Sequence, residues 1–168
     1  MATSNVLPPT RVVVTSHLTN GQTVFESDGP VEQFYPFGPQ GTGFGRIHSR
    51  LSVPVNNMGS PPKLPPTPPK CPPQGLLFCT SDFAAQSQTP MHRTVTLDYA
   101  IVMSGEIVLK LETGEEKLIR AGEVVVQKGV NHQWINRSDT TCRMMCVMVA
   151  SNKVVLDDGS VLDEAFKR

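Results

Sequence analysis

The stretch from Met91 to Asn136, MHRTVTLDYAIVMSGEIVLKLETGEEKLIRAGEVVVQKGVNHQWIN, leaves a folding chain few choices. Ile107, Leu109 and Leu111 alternate with Val108, Lys110 and Glu112, and the run ends at Thr113-Gly114, a hairpin signal. Gly122 precedes the β-branched run Val124-Val125-Val126, and Lys128-Gly129 precedes His132. Period-two runs between glycine turns predict a meander of antiparallel strands. Such a meander can return His132 to the side of His92. His92, Thr94 and Asp98 differ by even steps, so one extended strand would place all three side chains on one face.

The flanking sequence reads the same way. Residues 1–10 are polar, with two prolines, and read as a frayed N-terminus. The β-branched run Arg11 to Ser16, the turn Asn20-Gly21 and the run Thr23-Val24-Phe25 predict a hairpin at a sheet edge or crossing to a second subunit. His17, beside that turn, reads as a surface residue. Four glycines between Gly38 and Gly45 mark an irregular loop. Arg46 to Val53 then alternates as a half-buried strand, with His48 on the face opposite Ile47, Leu51 and Val53. Residues 59–74 hold eight of the fifteen prolines and predict an extended insertion loop, a possible lid, within a single domain spanning 11–168. Leu76 to Phe83 resumes strand character. Cys142, Met144, Cys146 and Met148 share one face of a further strand, and Arg143, Met145, Val147 and Val149 the other; so apolar a strand is buried on both sides. Val161 to Lys167 is expected to form a short helix.

Composition narrows the function. Fifteen basic residues balance fifteen acidic ones and no long basic run occurs, which argues against nucleic acid as a partner. Cys71, Cys79, Cys142 and Cys146 show no C-x-x-C spacing, so neither zinc-ribbon nor thioredoxin chemistry is indicated. No secretory pattern opens the chain, and no stretch approaches the roughly 20 apolar residues of a membrane helix. The expectation is a soluble, cytoplasmic protein of 168 residues with one core and no membrane partner.

The central stretch resembles a small single-domain cupin. His92-Arg93-Thr94, Asp98 and Gly105 follow the first cupin motif, with Thr94 where a second histidine usually stands and Asp98 in place of glutamate. Gly122, Gly129, His132 and Asn136 follow the second, with Gln127 at its proline position. The phrases HRTVTLDYAIVMSGE and VVVQKGVNHQWIN resemble a subgroup common in bacteria and fungi. The resemblance implies an all-β barrel or jelly roll, and N-terminal strands exchanged in a homodimer. It also implies a tailoring enzyme of small-molecule, polyketide-like metabolism.

The candidate site is His92, Asp98 and His132. As acid–base groups, two imidazoles and a carboxylate in an apolar barrel can take a proton from carbon and return one to a leaving group. That is the chemistry of a dehydratase, an isomerase or a decarboxylase acting on a β-keto or phenolic acid. The same three side chains are ligand types for one divalent metal (Fe, Zn or Mn), which would make a metal-dependent oxygenase or oxidoreductase. A non-catalytic small-molecule-binding barrel is the third reading. Thr94, Tyr99 and Trp134 are candidate substrate contacts, Tyr99 and Trp134 as walls with a polar handle. Arg93, out of phase with His92, is expected to face away from the lumen.

Overall fold

The computed structural model describes residues 6–63, 65 and 67–166. Part of the expected frayed N-terminus and residues 64, 66, 167 and 168 lie outside that range. All regular structure among the described residues is strand, and no helix there is long and apolar enough to cross a membrane. β1 (Arg11–His17) and β2 (Thr23–Pro30) form the expected hairpin as a two-stranded sheet of their own. β3 (Gln33–Phe34), β4 (Gly43–Arg50) and, beyond the proline segment, β5 (Leu76–Phe83) begin a larger sheet. β6 (Ser87–Gln88) and β7 (His92–Arg93) belong to a second sheet, and β8 (Thr96–Ser104) returns to the first. The hairpin of β9 (Glu106–Leu111) and β10 (Glu116–Arg120) lies in the second sheet, and β11 (Val124–Lys128) pairs with β8. β12 (His132–Asn136) joins β9 to β7, and β13 (Cys142–Ala150) runs between β8 and β5. β14 (Val154–Val155) and β15 (Val161–Leu162) make a small ribbon, and β16 (Ala165–Phe166) closes against β7.

The two six-stranded sheets therefore run β11-β8-β13-β5-β4-β3 and β10-β9-β12-β7-β16, with β6 added at β12. Consecutive segments alternate between the sheets, which is how a jelly-roll barrel avoids long open edges. The core forms where their inner faces meet: Phe83, Ala100, Val102, Cys142 and Met144 from one sheet pack on Ile107 and Trp134 from the other. Gly105 makes the β8–β9 corner at φ +73°, and a Cβ there would sit 3.1 Å from both Cys142 Cα and Thr141 O. Both the backbone conformation and the space select glycine.

One expected element is different. Val161 to Phe166 is two short strands rather than a helix. The backbone hydrogen bonds of Ala165 and Phe166 are taken by Arg93 and His92 across the sheet, a long-range pairing that overrides local propensity. The apolar strand β13 is flanked on both sides, its Cys142–Met148 face towards the interior, as the alternation predicts.

Candidate functional site

Two cross-strand pairs, one on each sheet, build the site. β7 and β12 set His92 opposite His132, with ring centroids 4.2 Å apart and planes at 50°. On the other sheet, β8 and β11 set Asp98 opposite Gln127. Gln127 Nε2 donates to Asp98 Oδ2 at 3.2 Å and stands 3.2 Å from His132 Nε2. One side-chain amide thus ties the carboxylate of one sheet to the imidazole of the other.

Backbone carbonyls set the tautomers. Nδ1 of His92 lies 2.8 Å from Pro90 O, and Nδ1 of His132 lies 3.0 Å from Val130 O. A carbonyl only accepts, so each Nδ1 carries the proton and each Nε2 presents a lone pair. His132 spends that lone pair on the Gln127 amide. His92 Nε2 has no protein partner among the described residues and belongs to the cavity wall. Gly129, at φ +58°, makes the turn that delivers β12 to β7.

Burial governs the charges. Desolvation, reinforced by the neighbouring His92, pushes the His132 imidazole down to about 4. Desolvation also lowers His92, against the pull of the Pro90 carbonyl. The same loss of water raises Asp98, opposed by the hydroxyl of Thr96 and the amide of Gln127. Burial therefore disfavours charge on both imidazoles and on the Asp98 carboxyl. Asp98 Oδ1 and Gln127 Oε1 are both buried without a hydrogen-bond donor. A proton on Asp98 would supply the donor this pair lacks.

These groups line a cavity of about 540 Å³ between the sheets, within the size range of small-molecule sites. Thr94 and Trp134 line it, and Thr94 Oγ1 accepts from Thr96 Oγ1 at 2.8 Å. Tyr99 does not: it is 43% exposed on the outer face of β8, because it is the odd neighbour of inward-facing Asp98. Arg93 points away from the cavity, towards Glu112, as its parity requires. His48 is also absent from the wall. Met144, Cys146 and Met148 contribute one wall. Burial raises the thiols of Cys79 and Cys146, so neither supplies a thiolate at neutral pH.

The metal set that the sequence offers as an alternative is not grouped in this arrangement. Among the described residues no three His, Cys, Asp or Glu side chains are grouped to hold a metal ion. His92 and His132 offer two adjacent imidazoles, but Thr94 replaces a third, and Asp98 bonds to an amide that also contacts His132. An amide N–H is a donor and cannot ligate, so this arrangement does not fit a three-ligand centre.

Several cavity residues carry no clear signal in the sequence. Gln127 was visible only as a departure at the proline position of a motif. Phe37, Phe44, Pro68 and Pro69 come from loops and strands remote in sequence. Phe166 of β16 stacks on His92, with centroids 5.8 Å apart and planes at 5°. No local pattern announced that contact.

Comparison with known proteins agrees with this architecture. The family described as "Cupin domain" (Cupin_2) matches residues 80–148. The chain contains a cupin domain. Phomopsin biosynthesis cluster protein C' of Diaporthe leptostromiformis is 38% identical over 90 residues, covering 54% of this chain and 48% of that protein. The cupin-domain-containing oxidoreductase virC of Hypocrea virens is 42% identical over 80 residues, covering 46% of this chain and 41% of that protein. The chain spans about half the length of the curated relatives it matches. Among solved structures, the polyketide cyclase RemF of Streptomyces resistomycificus superposes with a TM-score of 0.50 at 16% identity, covering 77% of this chain and 84% of that one. That likeness is one of fold.

Proposed function

We propose that this cupin is a small-molecule tailoring enzyme of secondary metabolism, a lyase or isomerase that moves a proton at carbon. The observation that carries the reading is the gathering, in one cavity between the sheets, of two imidazoles and a carboxyl group whose ionisation burial opposes. His92 Nε2 is the base, since its lone pair is not taken by protein. It removes a proton from a carbon next to a carbonyl. The Pro90 carbonyl, bonded to Nδ1–H, steadies the imidazolium that forms. Asp98, in its protonated form, returns a proton to the leaving or enolate oxygen, and Gln127 fixes its orientation. Thr94 and Trp134 hold the substrate. Relatives named for biosynthesis clusters support the metabolic setting.

The experiment is solvent exchange. The protein is incubated in D₂O with uncharged enolisable aryl ketones such as 2-tetralone, and deuterium uptake is followed by mass spectrometry. Wild type should accelerate uptake, and His92→Ala and His132→Ala should not. Equal uptake in wild type and both variants removes the proposal.

Relatives named oxidoreductases favour a second reading, in which the same cavity hosts a redox step. Titration of chelator-treated protein with Fe(II), Zn(II) and Mn(II) separates the two. The proton-transfer reading expects no stoichiometric binding. The homodimer expected from sequence is part of the proposal as well: the β1–β2 ribbon exposes Val13, Leu18 and Phe25, which a second copy would cover. Light scattering should give a dimer that Val13→Lys with Phe25→Lys splits, and a wild-type monomer would contradict it.

A further inference from the structure

The charge of the cavity wall carries an inference about its ligand. None of the described lining residues is a lysine or an arginine. The ionisable groups on the wall are His92, His132, Asp98 and the thiols of Cys79 and Cys146. Burial favours the neutral form of each. The remaining wall is largely aromatic and aliphatic, with Phe83 and Trp134 at 6.4 Å between centroids and Phe166 at the His92 ring.

An anion entering this space would shed water and find no cation. Buried charges persist only when paired, so the transfer is strongly unfavourable. The cations nearby are committed elsewhere. Arg143 makes a two-pronged bond to Asp82, and Arg46 donates to Pro65 O and Thr67 O of the proline segment. Lys70 pairs with Glu164 at 3.1 Å, joining the proline segment to the stretch before β16. Pro68, Pro69 and Phe166 lie on the wall beside that pair.

We infer that the cavity takes an uncharged, flat, largely apolar molecule of drug-like size whose one polar edge meets the His92–His132–Gln127 group, and rejects carboxylates, phosphates and thioesters of anionic carriers. This rests on the reading of the cavity as the substrate site. Of the reactions named for that site, it selects dehydration or isomerisation of neutral ketones and alcohols over decarboxylation of a free acid.

A matched pair of probes tests it without turnover. Naphthalene-2-carboxamide and naphthalene-2-carboxylate share one shape and differ in charge at pH 7.5. Isothermal titration gives both affinities. Trp134, the only tryptophan in the chain, reports occupancy independently by fluorescence. The amide should bind at least about tenfold more tightly than the acid, and the gap should persist at 0.5 M salt because it arises from desolvation rather than long-range fields. In Thr42→Arg, which adds a cation to the wall, the gap should narrow by about threefold or more. A carboxylate bound as tightly as the amide in wild type, or no binding of either probe, overturns the inference. Neither result depends on proton transfer: if D₂O exchange fails while the amide preference holds, the catalytic reading falls and the ligand class stands.

Discussion

Two carboxylates on the larger sheet, Asp82 and Asp98, are equally buried at 5% exposure, and each faces a cross-strand partner. Asp82 faces Arg143, which donates from Nε and Nη2 at 2.7 and 2.6 Å, and Gln33 adds a third donor at 2.8 Å. Asp98 faces Gln127, which gives one N–H at 3.2 Å. The first carboxylate is compensated in full and fastens structure: the same arginine also donates to Pro8 O, securing the chain before β1. The second is left short of donors, and its proton is correspondingly hard to remove. The partner, not the burial, separates the structural aspartate from the one proposed to act as an acid.

The largest effect expected from this contrast is on activity. Asp98→Asn should lower solvent-exchange turnover by about 10² to 10⁴-fold while changing unfolding free energy by no more than about 1 kcal/mol, since asparagine matches the shape of aspartate and burial disfavours the charged carboxylate it replaces. Urea denaturation alongside the exchange assay checks both numbers. Arg143→Met should show the opposite pattern, with a stability loss of about 3–5 kcal/mol from the stranded Asp82 carboxylate and unchanged turnover per folded molecule. Adding Asp82→Leu should restore most of that stability; if it does not, the pair is not the cause.

Next comes pH. His132 binds its proton at about 4 in the fold and near 6.5 when unfolded, so between these values the unfolded chain holds the extra proton. Stability should therefore fall as pH drops from 6.5 towards 4, by on the order of 3 kcal/mol, with His92 adding in the same direction. Asp98 has the opposite sign, because its raised value makes the fold the better proton binder, and Asp98→Asn should steepen the profile. A flat profile in wild type would contradict the neutral-imidazole assignment. The smallest effect is Gln127→Lys, which gives Asp98 a cation of the kind Asp82 already has. The Asp98 carboxyl should titrate lower by about one pH unit or more, worth about 1.4 kcal/mol, as read by ¹³C NMR.

Much of this was legible in the sequence. The alternation at Ile107–Glu112 and the glycine turns gave the strands. The even spacing of His92, Thr94 and Asp98 marks an inward set and all three line the cavity, but not from one strand: His92 lies on β7 in one sheet and Asp98 on β8 in the other. Parity within β8 excludes Tyr99, whose aromatic chemistry suits a wall but whose phase, one step from Asp98, faces outward. The terminal strand β16 was not legible, because two residues carry no period and their pairing partner is more than 70 positions away.

Period two settles which side chains of a strand share a face, and that much the sequence determined by itself. It says nothing about which face meets which across a barrel. That His92 lies opposite His132, that Asp98 lies opposite Gln127, and that one amide contacts both pairs is the work of register and sheet packing. Those depend on hydrogen bonds and burial between segments remote in the chain. The electrostatics follow from the same cause, because an imidazole or a carboxyl departs from its solution behaviour only once the closed structure has removed its water.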